Sequence, residues 1–158
     1  MSRVVMMEDV LRRIKLYIGA FIGFGAVVYI SFSSNHILLA PLAASACILF
    51  AVPESQFARA KNVIFGHMLS AAIGVTAGSA LGEHWWAAAI CVTLAVAVMD
   101  VTDTMHPPAA ATSLIAFATE HGYYFILSPV ASDSVLLVAT AYIVRIIFCL
   151  CRENKKHE

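Results

Sequence analysis

The chain has 158 residues, 61% of them hydrophobic and only 13% charged, with ten basic residues balanced by ten acidic ones. A soluble domain of this size covers its surface with far more charge, so the excess apolar side chains are expected to face lipid. With no net charge, no global field points to nucleic acid or an acidic partner.

Six apolar stretches follow in chain order. Met1 to Lys15 is a charged lead with amphipathic positions at Val4, Val5, Leu11 and Ile14, running into Leu16–Phe32. No small-residue cleavage site leads into a soluble region, so this reads as an uncleaved first helix. The second stretch, Ile37–Val52, carries Pro41 near its start. From Pro41 to Val52, at ~1.5 Å per residue, a helix covers about 18 Å, against a hydrocarbon core of roughly 30 Å. The third, Val63–Leu81, has the length of a span, and Asn62 is predicted to cap it. Trp85–Met99 is the fourth. The fifth, His106–Thr119, is short again and opens on Pro107 and Pro108, which suit a first helical turn because proline lacks an N–H. The last, Ser134–Leu150, carries a late Arg145, expected to snorkel to the membrane face. Trp85, Trp86, Tyr123 and Tyr124 read as interfacial anchors.

The two short stretches resemble each other. Residues 41–51 align without a gap on 108–118, an offset of 67, with six of eleven positions identical and Ser45 matched to Thr112. Each copy lies between two longer apolar segments. The expected fold is therefore an all-α integral membrane protein with two related halves, each a helix, a short proline-started (broken or re-entrant) helix and a helix. The organisation is a cytoplasmic N-terminal segment 1–15, one membrane domain 16–151 (repeats of about 16–82 and 83–151) and a cytoplasmic tail 152–158.

Basic residues set the orientation. Arg3, Arg12, Arg13 and Lys15 precede the first helix, and Arg152, Lys155 and Lys156 follow the last, which places both termini in the cytoplasm. If all six segments cross, Arg59 and Lys61 are also cytoplasmic, while Glu83, Glu120 and Asp133 are outside. If the short segments are re-entrant, four helices cross and Arg59 and Lys61 fall outside. The charge rule favours six crossings, and segment length favours four.

The chemistry concentrates in 99–113. A helix that starts inside a membrane presents partial positive charge and free N–H donors that lipid cannot satisfy, which makes an anion site. Thr104 or His106 is expected to cap that start, and the start at Pro41 is its counterpart. In transporters, paired proline-interrupted segments in corresponding halves mark the substrate site. Ser45 and Thr112 are candidate pore-facing hydroxyls among small residues that otherwise serve helix packing. His106 can donate to an anion or relay a proton, and His67 can face the same cavity. Asp100 and Asp103 together could bind a cation or proton. Cys47, Cys91, Cys149 and Cys151 read as structural. No metal or cofactor site follows from the spacing of His36, His67 and His106, and no paired nucleophile and base suggests an enzyme.

His106-Pro107-Pro108-Ala109 matches the signature of the HPP family of integral membrane proteins. Residues 41–46 resemble its second motif and 62–67 its third, so the resemblance runs from about Ile18 to Ile146. It implies a small membrane protein with four spanning helices acting as a transporter, some plastid and cyanobacterial members being linked to nitrite transport. The family pattern usually has glycine where this chain has Ala43 and Ala110, and glycine near Asp103.

The expected function is thus transport of a small inorganic, nitrite-like anion across a bacterial inner membrane. The binding residues would be His106, Pro107, Pro108, Ala109, Thr104, Thr112, Pro41, Ser45, His67 and Asn62. The alternatives are a proton or cation pathway through Asp100, Asp103 and His106, or a non-transporting scaffold. The bilayer and further copies of the chain, as a dimer or trimer, are the expected partners.

Overall fold

The computed structural model describes residues 3–32, 38–119 and 122–153, and every regular element among them is helical. Six α-helices follow in order: α1 Arg3–Phe32, α2 Leu39–Ala51, α3 Ala60–Leu81, α4 Trp85–Val101, α5 Pro107–Ala118 and α6 Ser132–Glu153. A single 3₁₀ turn, Gln56–Ala58, precedes α3, and a wide π turn, Ile126–Ala131, leads into α6. Each predicted stretch falls on one helix. His36, Glu120, Lys155 and Lys156 lie outside the described residues, as do the side chains of Cys149 and Cys151.

The largest boundary difference is at the start. The amphipathic lead is no separate segment but the first half of α1, because neither proline nor glycine interrupts it before Gly19 and its residues are good helix formers. At the other boundaries the stop signals act as their chemistry dictates. Gly82 ends α3 with φ 71°, a left-handed conformation open to glycine. Pro107 and Pro108 occupy the first turn of α5.

Among the described residues, two helices are long and apolar enough to cross a bilayer, Ala60–Leu81 and Ile126–Ile147, and less than half of each is buried. Both short helices survive as independent elements of 13 and 12 residues, α2 and α5. The surface is apolar: Phe21, Tyr29, Trp85, Tyr124, Ile143 and Ile146 are all exposed, Trp85 by 86%. The interior holds Ser45, Asn62, His67, Ser70, His106, Thr112, Ser113 and Ser134 beside its apolar residues. An apolar outside around a partly polar inside is the distribution a bilayer selects.

Helix directions follow from the contacts. Along α3, Gly66 lies against His106, Gly74 against Ser113 and Ala116, and Gly78 against Phe117, so α3 and α5 run parallel in intimate contact. Glycine makes that approach possible, since a Cβ on Gly74 would sit 2.6 Å from the Ala116 Cβ. Helix α4 runs back against both of them, with Cys91 near Ser113 and Met99 near Ser70. Helix α2 ends at the end of the bundle where α3 begins, and late α6 reaches the same level, where Arg145 donates to the Leu49 carbonyl. Leu42, Leu49 and Phe50 of α2, Val63 and Ala71 of α3, and Leu137 and Ala141 of α6 pack into the main apolar core.

The Arg145 guanidinium, half-buried and 2.8 Å from the Leu49 carbonyl, satisfies an otherwise open acceptor at the negative end of α2. One sequence expectation fails here. Asn62 does not cap α3, whose N-cap is Arg59. It sits inside the first turn, and its amide donates to Gln56 O at 3.0 Å and Met105 O at 3.2 Å, tying the loops before α3 and α5 together.

Candidate functional site

Three helices and one turn place four polar side chains at one point. Ser45 projects from about halfway along α2, His67 from the second turn of α3, and His106 and Thr112 from the start and middle of α5. All four are buried, none exposing more than 1%. The Ser45 Oγ lies 2.9 Å from His67 Nε2 and 2.8 Å from His106 Nε2. It is also 2.9 Å from the Pro41 carbonyl one turn back. His67 Nδ1 lies 2.7 Å from Thr112 Oγ1, and His106 Nδ1 2.8 Å from the Phe57 carbonyl. The two imidazoles are 5.2 Å apart, tilted by 60°. Every ring nitrogen therefore has a neutral partner.

Gly66 permits this assembly. The position a Cβ would take there lies 3.1 Å from both the His106 Cβ and the Thr104 carbonyl, so a side chain would push the α5 start away from α3. Thr104 is buried nearby, its hydroxyl 2.8 Å from that of Thr102. Pro108 and Ala109 are buried and Pro107 is exposed.

The start of α5 is not the open anion cradle expected from the sequence. His106 is its N-cap residue, yet neither it nor Thr104 caps it through a side chain, because the His106 ring is directed to Phe57 O and Ser45 and the Thr104 hydroxyl to Thr102. The two prolines have no N–H, and the Ala109 amide bonds back to His106 O at 2.9 Å. The early amides that a bound anion needs are missing or engaged, and only the helix dipole and side-chain donors remain. Nor does this start meet the start of α2; it meets α2 at Ser45.

The acidic pair is separate from the cluster. Asp100 and Asp103 are both exposed. Asp103 is hydrogen-bonded to Lys61, and that bond, reinforced by the charge of Lys61 and of nearby Arg59, holds its carboxyl below the ordinary carboxylate range. Sequence reasoning named all four cluster residues but not the Phe57 carbonyl, for which a backbone atom gives no sequence signal, nor Lys61 as the partner of Asp103. Among the described residues no group of three or more His, Cys, Asp or Glu side chains is placed to hold a metal ion.

A polytopic helical membrane protein with a small, uncharged polar centre is the class these features define. The family model for the HPP transmembrane region matches residues 7–153, and the chain belongs to that family. Two proteins of Dictyostelium discoideum, each named only as a transmembrane protein, are 38% identical to it over 117 and 115 residues. Those matches cover 69% and 68% of this chain but only 41% and 37% of the relatives, so the chain spans about two fifths of their length. No solved structure matches it.

Proposed function

We propose that this protein transports a small inorganic anion, nitrite being the first to test, through the region where α2, α3 and α5 converge. The observation that carries the reading is the buried Ser45–His67–His106–Thr112 cluster. Polar side chains within a membrane are costly to bury and mark solute or proton pathways when they face the interior of a bundle. The cluster holds hydroxyl and imidazole donors that can turn to a guest, lies beside the positive end of α5, and shares an end of the bundle with Arg59 and Lys61. Side chains therefore do the work first assigned to open amides.

The two-halves arrangement gains support from one detail. Ser45 and Thr112, matched by the offset of 67, meet the two ring nitrogens of the same His67. Two related short helices clasping one imidazole from either side suit a carrier that rocks about a central site. Association into a dimer or trimer belongs to this reading, since one small chain encloses little volume. The exposed positions of Asp100 and Asp103 weigh against a cation route built on carboxylates.

The test is uptake of nitrite into proteoliposomes, measured above protein-free vesicles. Wild-type protein should accelerate uptake, and Ser45→Ala, which removes the hydroxyl joining the two rings, should lower it by an order of magnitude or more while the protein still elutes as a folded species. No uptake of nitrite, nitrate or chloride by the wild type would end the proposal.

A further inference from the structure

With both rings neutral, one direction of hydrogen bonding satisfies every ring nitrogen of the cluster, and we infer from it that Thr112, His67, Ser45 and His106 form a proton relay that couples proton movement to the anion movement proposed above. Phe57 fixes one end of the chain. Its carbonyl only accepts, so His106 Nδ1 carries a proton. In neutral His106, Nε2 is then an acceptor 2.8 Å from the Ser45 hydroxyl, whose other acceptor is the Pro41 carbonyl at 2.9 Å. Pro41 O already takes the Ser45 amide in the helical ladder, whereas Nε2 has no other donor, so the hydroxyl turns to His106. Having given its single proton, the Ser45 oxygen presents lone pairs to His67, whose Nε2 must be the N–H. His67 Nδ1 is left as an acceptor and takes the Thr112 proton. The order is Thr112 to His67 to Ser45 to His106 to Phe57 O, with both rings neutral and each ring nitrogen satisfied. The two histidines are held as opposite tautomers.

A proton arriving at His67 Nδ1, when the Thr112 hydroxyl turns aside, moves along this chain without loss or gain. Nδ1 gains it, Nε2 passes its own to Ser45 Oγ, and Oγ passes its original proton to His106 Nε2. The product is a neutral His67 bearing its proton on Nδ1, a neutral serine now donating to His67, and an imidazolium at His106. That cation sits at the N-cap of α5, on the positive end of a helix dipole, where it is disfavoured unless an anion arrives with it. The polar and sulfur-bearing side chains nearby, around Gly66 and the α5 start, offer no counter-charge: Met99 on α4, Asn62 and Ser70 on α3, and Thr104 are neutral. The charged ones are engaged elsewhere, Lys61 with Asp103, Arg145 with Leu49 O, and Asp133 beside Ser132 at the start of α6. The anion itself is the missing negative charge, so proton and anion load together. Release requires His106 Nδ1 to give its proton to water when its contact with Phe57 O in the α2–α3 turn parts, which makes that contact the place where the relay opens.

Two measurements test the inference. Nitrogen-15 NMR of the reconstituted protein with labelled histidine, assigned by His67→Gln and His106→Gln, should show His106 protonated on Nδ1 and His67 on Nε2. The same tautomer at both rings would overturn the relay. Vesicles carrying a lumenal pH dye should report lumenal acidification in step with nitrite uptake, in equal numbers of protons and anions above protein-free vesicles. His67→Gln, which keeps a hydrogen-bonding amide but cannot pass a proton through a ring, should lower the proton-to-anion ratio severalfold in whatever flux remains. Nitrite uptake by the wild type without lumenal acidification would overturn the relay and leave the transport proposal standing. No uptake at all would overturn both.

Discussion

At the scale of single residues, Asp103 shows how much local backbone geometry can decide. It is a non-glycine residue with φ 51°, in the left-handed region that L side chains rarely adopt. The turn from α4 to α5 needs a residue tolerant of that conformation, and after glycine aspartate is among the few that are. In return this chain gains an exposed pair with Lys61, of the kind that contributes little to stability. Because the pair lowers the Asp103 pKa, its contribution is present above the ordinary carboxylate range and lost as pH falls through the lowered value. Asp103→Gly should therefore raise the melting temperature slightly or leave it unchanged, and should abolish that acid-side dependence. A clear drop in melting temperature at neutral pH would show that the ion pair outweighs the strain. The residues named for chemistry were legible as a set because buried histidines, hydroxyls and prolines stand out in an apolar chain. Their partners were not: the Phe57 carbonyl and the shared Ser45 hydroxyl arise only when helices distant in sequence are packed together.

At the scale of elements, the six helices were legible because apolar runs, prolines and Gly82 mark where helices start and stop. What sequence could not supply was how the ends of the short helices are satisfied. Helix α5 engages its first available amide within its own first turn, and helix α2 ends on a guanidinium borrowed from α6. The Arg145 contact joins a cation to a helix C-terminus, where charge and hydrogen bond act together. Its guanidinium also lies 5.7 Å from the Tyr142 ring on its own helix. Arg145→Met keeps much of the packing volume but leaves the Leu49 carbonyl without that donor, and should destabilise the protein by about 1–3 kcal/mol. The check is a thermal melt in detergent, with Arg145→Lys recovering part of the loss because an ammonium keeps the charge. If Met and Lys behave alike and both match wild type, the contact contributes nothing to holding α2.

At the scale of the whole molecule, the packing bears on how the chain threads the bilayer. Helices α3 and α5 run parallel, α4 runs the other way against both, and α2 ends at the level where α3 begins. Gly23 of α1 approaches Phe50 near the end of α2, while the chain connects the end of α1 to the start of α2, so these two also run in opposite directions. The direction thus alternates along the chain even though α2 and α5, at about 20 and 18 Å, are too short to cross a bilayer unaided. Under alternation, the α2–α3 turn with Arg59 and Lys61 shares a side with both termini, as the basic residues require. The exposed Trp85 and Tyr124 mark the opposite side. Single cysteines at Glu54 and Glu83, in a variant lacking Cys47, Cys91, Cys149 and Cys151, separate the two topologies. A membrane-impermeant maleimide added to intact cells of a bacterial host should label the Glu83→Cys protein directly, and the Glu54→Cys protein only after permeabilisation. Four crossings with two re-entrant helices would give the reverse pattern, because α3 would then begin outside. That result would also move the Phe57 contact to the outer face and invert the direction in which the cluster loads.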